Sequence, residues 1–195
     1  MNYLAHTVLA QRNMLSVTGN LLGDFCKGLD LSTLHPELQA GVINHRAVDK
    51  FTDHHPLVKQ ARLCFSPQRR RFAGIALDVL FDHFLILHWP RFMPFDFASY
   101  KTNLYQQLAQ ADAVMPETMQ YTMRKLRLHD WLEQYAIEDK VYKALDNIAA
   151  RIRFSHQFYG AGEDIRQHYD DLQQTFLQFF PQLQQHIRQL AIEQP

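Results

Sequence analysis

Glycine is scarce in this chain, at 7 of 195 residues, and cysteine is scarcer still, at 2. So few glycines leave little room for tight hairpins, and hardly any stretch alternates apolar with polar residues, which argues against a sheet. Cys26 and Cys64 cannot staple a fold of this size; they read as two buried thiols in a reducing compartment. A charge excess of either sign is also missing. Lys plus Arg number 20 and Asp plus Glu number 20, so no overall field draws the chain to nucleic acid or to a membrane surface. No run reaches membrane-spanning length; the nearest, Phe72 to Trp89, is broken by Asp78, Asp82, His83 and His88. The opening MNYLAHTVLA has no basic segment before its short apolar run, so no secretory leader is expected. These absences point to a cytoplasmic chain forming one domain over residues 1–195.

What remains is a strong helical pattern. Apolar residues recur at spacings of three and four, and the expected fold is an all-α bundle of about eight to nine helices. Helices are expected near Asn2–Gln11, with Asn2 as a cap, and near Ser16–Cys26, closing at Gly28. Pro36 opens the next, which runs to about His54, and Pro56 restarts a short one to Phe65. Further helices are expected at Ser66–Trp89, Phe97–Ala111, Pro116–Gln134 and Glu138–Arg153. The last, Glu163–Leu190, carries an apolar seam that Pro181 should kink or divide.

The chain is also rich in histidine, with 11, and several sit beside aspartates on apolar helices. Four stretches stand out: His6 in the first helix, G-N-L-L-G-D ending at Asp24, H-R-A-V-D-K-F-T-D from His45 to Asp53, and D-V-L-F-D-H from Asp78 to His83. On a helix His45, Asp49 and Asp53 lie one and two turns apart, within an arc of about 80°. Asp78 and Asp82 share a face, and His83 is turned about 100° from Asp82. A helix as apolar as GIALDVLFDHFLILHW is buried on most sides, where an unpaired carboxylate is costly and two would repel. A divalent cation removes both penalties, and mixed imidazole and carboxylate donors suit Mn²⁺, Fe²⁺ or Zn²⁺, with the carboxylates leaning toward Mn²⁺ or Mg²⁺. The plainer alternative is a set of helix-surface charges paired with Arg46, Lys50 and the Arg69–Arg71 run.

Taken together, M-N-Y-L-A-H, G-N-L-L-G-D-F, H-R-A-V-D-K-F-T-D, L-D-V-L-F-D-H-F and the pair His88-Trp89 resemble the acyl carrier protein phosphodiesterases, or holo-acyl-carrier-protein hydrolases, over nearly the whole chain. That family is regarded as a divergent relative of the HD-type metal phosphohydrolases. The resemblance implies an HD-like all-α fold and a Mn²⁺-preferring phosphodiesterase of lipid metabolism and fatty acid biosynthesis. Its substrate would be holo-acyl carrier protein, and its products the apo protein and 4′-phosphopantetheine. It carries over His6, Asp24, His45, Asp49, Asp78, Asp82 and His83 as metal-site positions. The family of HD enzymes has an adjacent His-Asp pair, whereas this chain has Asp82-His83 in the reverse order. In such a centre Asp49 or Asp53 would position the attacking water and Arg46 would neutralise a phosphoryl oxygen. Arg69, Arg70 and Arg71, with Lys59 and Arg62 nearby, are a candidate docking patch for an acidic carrier protein, and Arg124, Lys125 and Arg127 are a rival one. A phosphohydrolase acting on a nucleotide or another small phosphate ester and a non-enzymatic helical adaptor remain as alternatives. Neither nucleic acid nor membrane is an expected partner, and oligomeric state is not legible.

Overall fold

A computed structural model of the chain describes residues 1–193, which fold into twelve α-helices and four short 3₁₀ segments, with no strand among the described residues. The all-α expectation holds. α1 (Tyr3–Val8) and α2 (Met14–Leu22) come first, and Asn13 caps α2 by accepting the Ser16 N–H. α3 (Pro36–His54) opens on its proline, with His35 Nδ1 accepting the Glu37 N–H, and α4 (Pro56–Ala61) restarts in the same way behind His55. α5 (Ala73–Leu87) is the central helix, burying 10 of its 15 residues. The remainder wraps it: α6 (Trp89–Phe92), α7 (Phe97–Gln110), α8 (Glu117–Leu128), α9 (Trp131–Gln134), α10 (Glu138–Ala149), α11 (Ala161–Gln167) and α12 (Tyr169–Leu190).

α1, α2, α4 and α10 stop short of their expected ends, at Val8, Leu22, Ala61 and Ala149, and three further boundaries differ. The helix expected from Ser66 begins at Ala73, because residues 70–72 form a 3₁₀ turn that directs Phe72 onto Phe158 and His156. Pro116–Gln134 is two helices, parted where Asp130 adopts a left-handed conformation (φ 44°) and holds Lys101 and Tyr105 with its carboxylate. The final segment breaks at His168, not at Pro181, which sits inside α12. Phe179, Phe180 and Leu183 are all buried around that proline, and their packing keeps the helix continuous across it.

Two features fix the frame of the site. α5 and α12 lock together through aromatic contacts, with Phe81 and Phe84 against Phe176 at centroid separations of 5.4 and 5.9 Å. α2 and α3 cross at Gly19 and Gly41, where side chains would not fit. A Cβ on Gly19 would lie 2.6 Å from the Leu38 carbonyl oxygen, and one on Gly41 would lie 2.8 Å from the Gly19 Cα. That close crossing sets which turn of α3 faces which turn of α2.

Candidate metal centre

α1 is too short to be stable alone, and Asn2, at its N-cap position, makes no side-chain cap bond. Its first-turn donors are met from elsewhere. The Leu4 and Ala5 N–H groups each donate to Asp82 of α5, both at 3.0 Å. A fully buried carboxylate thus caps α1 from another helix, and burial pushes its pKa up to about 7 against the pull of those two bonds.

Pinned in this way, α1 delivers His6 to α3. His6 is fully buried, with Nε2 3.3 Å from Asp49 Oδ1 and 3.2 Å from the Met1 carbonyl oxygen. Its Nδ1 has no partner among the described residues. From α3, His45 stacks on His6 with ring centroids 3.9 Å apart. His45 Nδ1–H donates to the Asn20 carbonyl at 2.7 Å, which turns Nε2 toward Asp49 Oδ2 (3.0 Å) and Asp24 Oδ1 (3.6 Å). A carbonyl behind one ring nitrogen fixes the tautomer and frees the other as a ligand. Asp49 therefore joins both imidazoles, one turn along α3 from His45. Donor atoms of His6, His45 and Asp49 all lie within 4.8 Å of one another.

The site is built to hold positive charge. The Met1 amino group lies 3.2 Å from Asp49 and 3.0 Å from Asp78, and although burial opposes it, these two carboxylates raise its pKa to about 10. Burial works against ionisation of Asp49 too, yet bonds from His45 and His6 hold its carboxyl well below the ordinary range. Burial pushes His6 down to about 4, so its ring is neutral near pH 7, the form that ligates metals. Two imidazoles and Asp49 form a donor set that suits Mn²⁺, Fe²⁺ or Zn²⁺, with the half-exposed carboxylate of Asp24 beside His45 and that of Asp78 against the Met1 amino group. The buried Nδ1 of His6, without a partner among the described residues, leaves that ring with an unused donor or acceptor position.

Of the residues singled out in the sequence, the structure brings together His6, Asp24, His45, Asp49 and Asp78. Asp82 faces α1 with both oxygens engaged. His83 points away, bonded through Nδ1 to the Tyr135 carbonyl (2.6 Å) and through Nε2 to the Tyr169 hydroxyl (2.7 Å). Asp53 is paired with Arg62 at 2.5 Å, and Arg46 is exposed, its Nη2 3.8 Å from Cys26 Sγ. Arg69 is held by the Tyr159 carbonyl, Glu163 and Asp164; Arg70 bonds the Phe65 carbonyl; and Arg71 lies over Phe72 and Phe154.

Sequence reading passed over Asn20 and Gly23, although both stand in G-N-L-L-G-D. Gly23 is needed for space: a Cβ there would fall 2.2 Å from the His45 ring. Gly23→Ala should therefore push His45 out of register and weaken divalent-cation binding by at least about tenfold, the scale seen when a ligand loses its support. Calorimetric titration with Mn²⁺ checks this, and wild-type affinity in the variant would refute it. The buried His6 makes a second prediction, for metal-free protein. Its folded pKa of about 4 lies below the unfolded 6.5, so between those values the unfolded chain alone takes up the proton. This contribution is complete above pH 6.5 and lost as pH falls toward 4. Urea unfolding at pH 7.5 and 4.5 should show wild type losing about 2–3 kcal/mol more than His6→Asn; equal losses would contradict a neutral buried His6.

A family model described as acyl carrier protein phosphodiesterase matches residues 1–183. A Yersinia enterocolitica protein named acyl carrier protein phosphodiesterase is 39% identical over 182 residues, covering 93% of this chain and 94% of the relative. Proteins of the same name from Serratia proteamaculans and Escherichia coli are 35% and 34% identical, covering 95% and 98% of this chain and 96% and 100% of their own. No solved structure matches. No helix among the described residues is long and apolar enough to cross a membrane.

Proposed function

Because this chain belongs to the acyl carrier protein phosphodiesterase family, we propose that it hydrolyses holo-acyl carrier protein to the apo protein and 4′-phosphopantetheine, using a divalent cation held by His6, His45 and Asp49. The observation that carries the metal reading is the convergence of two imidazoles and a carboxylate within 4.8 Å of one another, His6 from α1 and His45 and Asp49 from α3. Bound there, the cation, Mn²⁺ foremost with Mg²⁺, Fe²⁺ or Zn²⁺ as alternatives, supplies charge to the phosphoryl oxygens and lowers the pKa of water. The chain's own groups do the rest. His45, fixed by the Asn20 carbonyl, and the neutral His6 present nitrogen lone pairs. Asp49 is fully ionised near neutral pH and orients the attacking water, with Asp24 beside it. Asp53 is held one turn away by Arg62 and serves less directly. Arg46, exposed and without an ion pair among the described residues, is free to swing onto a non-bridging oxygen. The water's hydroxyl goes to phosphorus, the bond from phosphorus to the carrier serine oxygen breaks, and that oxygen takes the proton. The reaction belongs in the cytoplasm, where two unpaired thiols are also at home.

Incubation of pure protein and Mn²⁺ with holo-acyl carrier protein, followed by intact mass, should show loss of one phosphopantetheinyl group and gain of the free serine. An unchanged carrier mass with all four cations would overturn the reading.

A further inference from the structure

A cavity of about 440 Å³ lies between α1 and the α8–α10 segment. Asn2 and Tyr3, next to Met1, form one wall with Val79, next to Asp78. The cavity therefore abuts the same chain segments that carry the candidate metal site. Tyr3 lines the cavity, and the charges of Asp24 and Arg151 both bear on its hydroxyl.

Charge is what distinguishes this cavity. Lys125, Lys140, Lys143 and Arg151 all line it, and among the described residues none of the four forms an ion pair. The neighbouring acids are turned elsewhere: Asp112 takes Arg124 and Arg127, Asp139 takes Arg166, Glu138 takes the Tyr142 hydroxyl, and Asp146 accepts from the Gly160 N–H. The net charge of the chain is zero, so four uncompensated cations around one opening are a local choice and not a general bias. Three of the four are exposed, and only Lys125 is half-buried, over the Tyr121 ring. An exposed cationic rim of this kind steers and seats an acidic surface. In the arginine run at 69–71, by contrast, Arg69 is committed to Glu163 and Asp164, and the exposed Arg70 and Arg71 line no part of this opening.

Resting on the function proposed above, we infer that the rim formed by Lys125, Lys140, Lys143 and Arg151 is the surface on which the acidic carrier protein docks, its prosthetic chain entering past Tyr3 toward the metal centre. Inside the opening, Trp131 and Ile148 offer apolar surface while Thr122, Gln134 and Asn147 offer hydrogen bonds. Such a lining fits an uncharged chain that carries amides, and leaves the lysines for the protein that bears it.

The test is direct binding, read apart from turnover. Fluorescently labelled apo-carrier protein, which has no phosphodiester, is titrated with wild type and with Lys140→Glu/Lys143→Glu at low and at physiological salt. Both positions are exposed, so the fold should tolerate the change. We expect the double variant to raise Kd at least about tenfold at low salt, with a smaller ratio at higher salt as the charges are screened. Hydrolysis of a small diester, bis(4-nitrophenyl) phosphate with Mn²⁺, should be unaffected by the two substitutions. Equal affinity of wild type and variant, or no carrier binding by wild type, overturns the inference. Equal losses with the small diester also overturn it, because that substrate has no protein to dock. Lysine-dependent carrier binding without any cleavage would uphold the docking surface and sink the proposed function instead.

Discussion

Asp49→Asn should lower Mn²⁺-dependent cleavage of holo-carrier protein by about 10³-fold or more while the helical circular dichroism stays unchanged. The substitution keeps the shape of the side chain and removes its charge. Among the described residues Asp49 is the one carboxylate in contact with His6, His45 and the Met1 amino group at once, so it is the hinge of the proposed centre. A loss of that size corresponds to about 4 kcal/mol of transition-state stabilisation, within reach of a group that both holds the cation and orients water. A second readout separates the metal role from a merely structural one. Added Mn²⁺ should raise the melting temperature of wild type, because a ligand that binds only the folded state stabilises it by mass action. The variant should show little or no such rise. If Asp49 served only to neutralise its neighbours, activity would follow the folded fraction and the Mn²⁺ shift would survive. Retention of turnover within tenfold would remove Asp49 from the centre.

How much of this was legible in the sequence depends on the range over which each residue finds its partner. His45 and Asp49 are one turn apart, and helical periodicity alone places both on one face of α3. The all-α class was legible for the same reason. Asp78 and Asp82 share a face of α5 by the same rule, yet one meets the Met1 amino group and the other meets Leu4 and Ala5. Nothing local distinguishes them, because the partners lie about 80 residues away and depend on where α1 crosses α5. His83, a further 100° around the helix, reaches Tyr135 and Tyr169, contacts that only the packing of α12 and of the segment after α9 creates. Basic residues show the same limit in reverse. Arg69–Arg71 is conspicuous as a run, but sequence could not reveal that carbonyls, carboxylates and aromatic rings would occupy it. Lys125, Lys140, Lys143 and Arg151 are scattered and gather at one opening only when α8 and α10 come together beside α1.

The placement of Asp82 leads to the other large expected effect, on stability. Asp82→Ala removes the only side-chain acceptor that the Leu4 and Ala5 N–H groups have among the described residues and leaves both donors buried. Each stranded donor costs about 1–3 kcal/mol, partly offset because a carboxylate that burial disfavours is also removed. A net loss of about 2–4 kcal/mol follows, which is a fall of roughly 5–15 °C in Tm for a chain of this size. The effect should also depend on pH. With its folded pKa near 7 and its unfolded value at 3.8, the Asp82 carboxyl stabilises the native state most when protonated, and that contribution is lost as pH rises between those values. The advantage of wild type over the variant should accordingly narrow from pH 5 to pH 8. Assayed at a temperature where the variant stays folded, turnover should fall by no more than about tenfold, since α1 still carries His6 but is held less firmly. Were Asp82 instead a direct metal ligand, the pattern would invert: Tm of the metal-free protein would barely change, turnover would vanish, and the Mn²⁺-induced rise in Tm would vanish with it. Differential scanning calorimetry with and without Mn²⁺, run beside the activity assay, decides between a carboxylate that binds the cation and one that holds the helix delivering His6 to it.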